Sequence, residues 1–139
     1  MGGNYFLDYL PATECFIVWD KGRRGIGFAD CELAWTNFDS PSRIYEFKWN
    51  GMLQGDMKHK EQRIHPTQKP VRLYTWLLSQ FAKQGDIILD THVGSASSLI
   101  ACERMGFDYV GFEIDPDYYN DALARLNEER MQIRFEKLP

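Results

Sequence analysis

The stretch GDIILDTHVGSASSLIACERMG, residues 85–106, decides the fold of this chain. Its first part, DIILD, is typical of a short buried strand, and THVGSAS is a loop of small residues. The run from Ser97 to Met105 predicts a helix that Gly106 closes as its C-cap residue. A strand, a loop and a helix in this order point backbone N–H groups and the positive helix end at a ligand.

Regular elements flank this stretch on both sides. Pro70 is expected to open a helix at its first turn, with Val71, Tyr74, Leu77, Leu78 and Phe81 on one face. YVGFEID predicts the next strand. Asp115 is the expected N-cap and Pro116 the first residue of a last helix, whose apolar stripe includes Tyr119, Leu123 and Leu126. Alternation of helices and strands predicts an α/β fold with a parallel strand pair.

The first half has a different pattern. NYFLDYLP suggests a short helix ended by Pro11, whereas CFIVWDKG and CELAWTNF predict strands. SRIYEFKWN alternates with a period of two, which predicts one half-buried strand with Tyr45, Phe47 and Trp49 on a common face. Residues 51–69 have few apolar side chains, which indicates a long loop. We expect a single domain over 1–139: a strand-rich part (1–50), a basic loop (51–69) and a second half (70–139).

Composition sets limits on function. The 139 residues are 44% hydrophobic and 26% charged, which is ordinary for a globular domain, and no apolar run approaches a membrane span. No signal peptide is recognisable, so we expect a cytoplasmic protein. Three cysteines and three histidines lack the spacings of a disulfide framework or a zinc site, and we expect no metal.

Charge is unevenly distributed along the chain. The net charge is −4, which argues against a wholly basic nucleic-acid binder. Residues 51–72 nevertheless carry five basic side chains against two acidic ones, namely Lys58, Lys60, Arg63, Lys69 and Arg72 against Asp56 and Glu61. Such a segment permits a polyanion to approach, but a solvated loop explains the charges equally well.

The loop after DIILD has the features of a nucleoside site. Gly94 permits a tight turn close to a ligand, and Glu113 follows it by 19 residues, a spacing that suits an acid on ribose hydroxyls. The G-x-G-x-x-G pattern of dinucleotide sites is absent, and Asp90 would repel a pyrophosphate. An acid there suits an ammonium group, which favours S-adenosylmethionine over NAD. A purely structural strand–turn–helix corner is the alternative.

Three motifs in residues 65–115 resemble the amino-group DNA methyltransferases, which act on adenine N6 or cytosine N4. RIHPTQKP contains the H-P-x-x-K-P element, DTHVGSASS corresponds to D-P-F-x-G-S-G-T-T, and GFEIDPDYY supplies the acid that follows. The order of the motifs is that of the permuted subgroup, and GGNYFLDYLP, VWDK, FADCELAW and WNGMLQGDM resemble phage-like members. The resemblance implies a Rossmann-like, S-adenosylmethionine-dependent methyltransferase fold, a DNA substrate and a role in restriction-modification.

The resemblance also implies roles for individual residues. Asp90, Gly94 and Ser95 would line the methionine part of the cofactor, and Lys69 would lie near its carboxylate. The same motifs make Thr91, His65 and Gln68 further cofactor-binding candidates. Glu113 would bind the ribose hydroxyls and Ile114 the adenine. Lys58, Lys60 and Arg63 lie where the family's target-recognition segment tends to be, so they are the expected DNA contacts. Thr91-His92 replaces Pro-Phe, and Ala96 replaces a glycine. At a positive φ, the Ala96 methyl would cost energy and could weaken cofactor binding.

The catalytic element of that family, [DNS]-P-P-[YFW], is missing. The sequence contains no Pro-Pro dipeptide, and Ser40-Pro41-Ser42-Arg43 is better explained as a turn. We therefore expect a truncated methyltransferase whose central strands are missing and which is inactive alone. Unpaired strand edges would favour a homodimer, a partner chain or a rearranged sheet. A cofactor- or DNA-binding module completed by a partner, and a remnant that binds nothing, are the alternatives.

Overall fold

The computed structural model describes residues 2–25, 27–50 and 52–136. Gly51, where the predicted basic loop begins, and the predicted start at Met1 lie outside the described residues. The chain divides into two compact units, Met1–Lys60 and Glu61–Pro139. None of the helices in the described ranges is both long and apolar enough to cross a membrane.

The first unit is built on a three-stranded sheet. Its strands are β1 (Phe16–Asp20), β2 (Cys31–Trp35) and β3 (Arg43–Glu46), in the order β2-β1-β3. β1 pairs antiparallel with β2 and parallel with β3. Two further short strands, β4 (Trp49–Asn50) and β5 (Leu53–Gln54), form an antiparallel pair. The alternate β1 residues Ile17 and Trp19 are almost fully buried, which gives this unit its core.

Two predictions for the first unit need correction. NYFLDYLP forms only a 3-10 helix over Gly3–Tyr5 followed by turns, because Tyr5 and Tyr9 remain exposed and no apolar face is packed. The single strand predicted over SRIYEFKWN is divided into β3 and β4. Its period of two was correct, since Trp49 is buried and Tyr45 and Phe47 are half-buried, whereas the residues between them are exposed.

The second unit alternates helices and strands as predicted. Its elements are α1 (Val71–Phe81), β6 (Ile87–Asp90), α2 (Ser97–Met105), β7 (Asp108–Gly111) and α3 (Pro116–Glu136). β6 and β7 are parallel, with Ile87 opposite Asp108 and Asp90 opposite Gly111. Side chains of α1, α2 and α3 form one apolar core, to which Ile88 and Tyr109 add from the strands. The α/β prediction is confirmed for this unit.

The end of α2 and the start of α3 follow from local sequence. Gly106 has a left-handed conformation (φ 73°) as the C-cap of α2, and its amide donates to the Cys102 carbonyl. At α3, the Asp115 Oδ1 atom accepts hydrogen bonds from the amides of Asp117 (2.9 Å) and Tyr118 (3.1 Å). This is the N-cap geometry that the sequence predicts.

Other predictions for the second unit were wrong in detail. Pro70 is the N-cap of α1 (φ −65°, ψ 143°), so the helix begins one residue later, at Val71. Leu73 is fully buried although it was not assigned to the apolar face. In α3 the buried residues are Ala122 and Leu126, whereas Tyr119 and Leu123 are exposed.

β6 also departs from the buried type that its sequence suggested. Ile87 and Leu89 are 68% and 62% exposed, and Val110 and Phe112 are exposed beside them. Alternate side chains of a strand lie on opposite faces, so one face of the β6–β7 sheet packs on the helices and the other is open. Strands of a parallel sheet are apolar on both sides because helices normally cover both faces. The open face explains why an apolar sequence is only half buried.

Candidate functional site

Asp90, at the end of β6, organises the loop that follows. One carboxylate oxygen accepts a hydrogen bond from the His92 amide (3.0 Å), and the other accepts one from the Ser98 hydroxyl in the first turn of α2. Asp90 therefore holds both ends of the β6–α2 loop. This geometry agrees with the structural alternative, in which Asp90 caps the helix, while each carboxylate oxygen keeps a lone pair for a ligand.

Ala96 has a strained backbone at the start of α2. Its φ and ψ are 60° and 17°, in the left-handed region that disfavours residues with a Cβ. The positive φ anticipated for this position is therefore present. Ala96 is, however, fully buried in the core of the second unit. Ala96 also lines the small cavity beside Glu113, so its effect on a bound cofactor remains a prediction.

Glu113 joins the β6–α2 loop to the segment after β7. Its Oε2 atom accepts a hydrogen bond from the Gly94 amide (2.8 Å), and its Oε1 atom accepts one from the Asp115 amide (3.0 Å). These backbone donors, Asp115 before Gly94, lower the pKa of the Glu113 carboxyl group. Two loops separated in sequence thus meet through one carboxylate that remains charged at neutral pH.

The segment His65–Pro70 lies against the same loop. The His65 ring contacts the Tyr118 ring with centroids 4.3 Å apart, and a Cβ placed on Gly94 would lie 3.7 Å from the His65 ring. Gly94 has φ 54°, so its backbone conformation favours glycine. The structure therefore brings His65, Gly94 and Glu113 together.

Several predicted site residues serve the loops internally. Gln68 is buried, and its side chain bonds the Ile64 amide (2.9 Å) and the Gln62 carbonyl (3.0 Å). Lys69 donates to the Thr67 carbonyl (3.1 Å). The hydroxyl of buried Ser95 lies 3.0 Å from that of Ser97, and the Thr91 hydroxyl lies 2.9 Å from the His92 ring. These contacts fix the shape of the site.

Ile114 is the opposite case. It is 98% exposed directly after Glu113, and Phe112 is 58% exposed. The nearby cavity, between the starts of α2 and α3, has a volume of about 60 Å³. That is far below the roughly 300–1,000 Å³ of common ligand pockets. A nucleoside would therefore have to lie on the open surface beside Ile114.

The predicted DNA contacts are placed differently from one another. Lys58 and Lys60 are exposed in the first unit. Arg63, in the second unit, donates to the carbonyl groups of His65 (3.3 Å) and Pro66. Arg63 thus braces the turn that carries His65. Within the described ranges, no group of three His, Cys, Asp or Glu side chains is arranged to hold a metal ion.

Sequence reasoning missed Arg125. Its Nη1 atom donates to the Ser95 carbonyl (2.6 Å) and the Ser97 hydroxyl (2.9 Å), and its Nη2 atom lies 2.6 Å from a Glu61 carboxylate oxygen. The other Glu61 oxygen accepts the Val71 amide at the start of α1. An arginine on the packed side of α3 could have indicated this ion pair, because a cation that is partly buried needs a partner.

Comparison with known proteins identifies the family. Residues 14–124, most of the chain, match the N6_N4_Mtase family, described as DNA methylase. The chain belongs to this DNA methylase family. Among its relatives are the type II methyltransferases M.HpaI of Haemophilus parainfluenzae (32% identity over 90 residues) and M2.DpnII of Streptococcus pneumoniae (35% over 81). These matches cover 65% and 58% of this chain.

The chain also resembles solved structures. It aligns with M1.HpyAVI in complex with S-adenosylmethionine at a TM-score of 0.56 and 27% identity, over 79% of this chain and 60% of that one. The matches span only 27% of M.HpaI and 30% of M2.DpnII. The match over residues 14–124 confirms the predicted family. The mixed α/β structure agrees with an incomplete Rossmann-like fold. The permuted, phage-like subgroup remains a prediction.

Proposed function

We propose that the chain contributes the cofactor-binding part of an S-adenosylmethionine-dependent DNA N-methyltransferase acting on adenine N6 or cytosine N4. The observation that carries this proposal is the contact between the Glu113 carboxylate and the Gly94 amide, with the Asp90 carboxylate at the start of the same loop. Two acids at the ends of neighbouring parallel strands form a site that suits a cationic nucleoside.

The chemistry of these residues fits that cofactor. Each Glu113 oxygen uses one lone pair on a backbone amide, so a second remains to accept a ribose hydroxyl. Ile114 offers an exposed apolar surface for the adenine. Asp90, with Thr91 and Ser95 behind it, would face the cationic methionine end, and His65, Gln68 and Lys69 would shape that end of the site. Bound cofactor supplies an electrophilic methyl group.

Catalysis would require a second element. The family that the sequence resembles holds the target amino group with a Pro-Pro motif, and this sequence contains no such dipeptide. A base in a duplex must also leave the stack before its amino group can react. We propose that these residues alone bind cofactor and double-stranded DNA, and that the catalytic motif is supplied by a polypeptide segment outside them. We also propose a cytoplasmic location, which is where DNA lies in bacteria such as those that carry the type II relatives.

The open face of the β6–β7 sheet is the proposed place for that polypeptide. Ile87, Leu89, Val110 and Phe112 are all about half exposed or more, an apolar surface of the kind that marks association sites. We propose that its occupant carries the remaining strands of the sheet. Light scattering at micromolar concentration distinguishes a second copy of this chain from a different partner, and a strictly monomeric chain that binds no such polypeptide would contradict the idea.

Calorimetric titration with S-adenosylmethionine tests the cofactor site. We expect saturable binding by the full chain, weakened at least about tenfold by Glu113→Gln, because an amide N–H₂ would then face a backbone N–H donor. Asp90→Asn should act in the same direction by removing the charge opposite the ammonium group. Glu128→Gln, at an exposed acid on α3, is the matched control. No binding at millimolar cofactor would refute the proposal.

A methylation assay on DNA of mixed sequence separates the enzyme from the binding module. We expect no methyl transfer by the purified chain alone, since the Pro-Pro element is absent. Turnover by this chain without a partner would show that the missing motif is dispensable. Binding of cofactor without turnover supports the role of a module.

A further inference from the structure

The loop between β1 and β2 has features that core packing does not explain. Phe28 is 72% exposed. Gly25 and Gly27 have φ values near 70°, and a Cβ added to either would meet no atom within 4 Å. These glycines are therefore not required by crowding. They allow a projecting loop in which the Phe28 side chain is largely exposed.

A guanidinium group accompanies the exposed ring. The central carbon of the Arg23 guanidinium lies 5.5 Å from the centre of the Phe28 ring. Arg23 also donates to the Ala29 carbonyl (3.3 Å) and, through Nη1, to the Asn50 amide oxygen (3.0 Å). These acceptors are neutral, so they leave the charge of Arg23 uncompensated. The Nη2 atom of Arg23 donates a further hydrogen bond to the Ala29 carbonyl. Three of the five N–H donors of the guanidinium are then used, and two remain for a ligand.

Other cations adjoin the same loop. Lys48 is exposed, and its backbone lies within 3.6 Å of a Cβ placed on Gly22. Arg24 is 65% exposed, but both of its Nη atoms bond the Asp20 carboxylate (2.9 and 2.6 Å), which compensates its charge. The pair lowers the pKa of Asp20 to about 2. Lys21 is likewise paired, with Glu32 at 2.6 Å. Arg23 in the loop and Lys48 beside it are therefore the cations to which the described residues give no carboxylate partner.

We propose that this loop and the neighbouring Lys48 bind the DNA substrate, with Phe28 stacking on a base and Arg23 and Lys48 contacting phosphates. The inference rests on the proposed function, since a DNA methylase needs a surface for DNA. An exposed aromatic ring beside uncompensated cations is the combination that binds unstacked strands. None of the predicted contacts, Lys58, Lys60 and Arg63, belongs to this loop.

Fluorescence anisotropy with labelled duplex and single-stranded oligonucleotides tests the loop. Phe28→Ala should weaken binding of the single strand about tenfold, the amount expected for loss of one base–aromatic stack. Phe28→Leu, which keeps an apolar side chain without a ring, should restore little of it. Phe38→Ala, at a ring 42% exposed elsewhere in the same unit, is the matched control and should leave affinity unchanged.

Salt dependence separates the roles of the cations. Lys48→Gln and Arg23→Gln should each weaken binding at low salt and reduce the slope of log affinity against log salt by about one, whereas Phe28→Ala should leave the slope unchanged. Arg43→Gln, at an exposed site on β3, is the charge control. Thermal unfolding of each variant verifies that the first unit is intact.

The outcomes distinguish this inference from the proposed function. The loop has no such role if the chain binds S-adenosylmethionine but no DNA at any salt concentration. The same conclusion follows if the Phe28→Ala and Phe38→Ala variants bind DNA equally well. In both cases the cofactor proposal stands. If the chain binds DNA through Phe28 but never binds cofactor, the loop assignment stands and the cofactor proposal fails. Absence of both activities overturns both.

Discussion

Arg125 and Glu61 are 64 residues apart in the sequence, yet their side chains form an ion pair of 2.6 Å in which each is less than one fifth exposed. The pair connects α3 to the β6–α2 loop through Ser95 and to the start of α1 through Val71. Burial lowers the pKa of Arg125, and the Glu61 carboxylate opposes that shift. The pair therefore positions the loop on which the proposed cofactor site depends.

Removal of the cation should be costly. We expect Arg125→Met to lower the free energy of unfolding by about 3 kcal/mol, because the largely buried Glu61 carboxylate would lose its cation. Arg104→Met is the matched control, since the Arg104–Glu129 pair (2.7 Å) has an arginine that is 47% exposed. That change should cost about 1 kcal/mol or less. Urea unfolding followed by circular dichroism gives both values, and equal losses would show that burial of the Arg125 pair is unimportant.

Ala96 allows a test of backbone strain against packing. Glycine would relieve the left-handed conformation, worth about 1 kcal/mol, but would remove a buried methyl group of similar value. We expect Ala96→Gly to change the free energy of unfolding by less than about 1 kcal/mol. Because the methyl group lies in the core, affinity for S-adenosylmethionine should not change.

The opposite substitution at the same position provides the contrast. Ala96→Val adds a branched side chain both to a left-handed backbone and to a filled core, so a loss of more than about 3 kcal/mol is expected. Thermal or urea unfolding measures it. A glycine variant that binds cofactor markedly more tightly than the natural chain would place the methyl group at the ligand after all.

Ile114 should affect binding without affecting stability. A side chain that is 98% exposed contributes little to folding, so Ile114→Ala should change the free energy of unfolding by less than about 0.5 kcal/mol. If it packs on the adenine, the truncation should remove about 1 kcal/mol of binding free energy, or about fivefold in affinity. Ile87→Ala, at an exposed position on β6, is the control. Equal affinity in the two variants would remove Ile114 from the site.

Local signals account for what the sequence predicted well. The turn from β6 to α2, the Gly106 C-cap and the Asp115 N-cap each depend on residues within a few positions, so their chemistry can be read directly. The proximity of Gly94 and Glu113 was also predictable, because parallel neighbouring strands end at the same edge of a sheet. The roles of Gly94 and Glu113 toward a cofactor remain predictions.

Long-range packing accounts for the errors. Nothing near Glu61 in the sequence indicates that its partner is Arg125, and only the packing of α3 brings them together. The exposure of Ile87 and Leu89 was equally unpredictable from the sequence. The sequence of a strand shows which apolar side chains could be buried, but not whether a helix or another sheet packs on them. The complete burial of Ala96 was hidden for the same reason, since only the fold shows which residues pack around it.

The raised pKa of Tyr109 should make the stability of the fold depend on pH in the alkaline range. Its hydroxyl donates to the Glu103 carboxylate and accepts from Arg130 Nη2 (2.7 Å), and burial followed by the Glu103 contact raises its pKa from 10.0 to about 12. A raised native pKa gives stability that is complete below pH 10 and is lost as pH rises from 10 to 12, because the unfolded chain ionises first. We therefore expect Tyr109→Phe to reduce the dependence of the unfolding free energy on pH over this range by about 1 kcal/mol. Tyr9→Phe, at a ring 86% exposed, is the control. Urea unfolding at pH 9, 10, 11 and 12 gives the comparison, and parallel curves for the natural chain and Tyr109→Phe would show that this hydroxyl keeps its ordinary pKa.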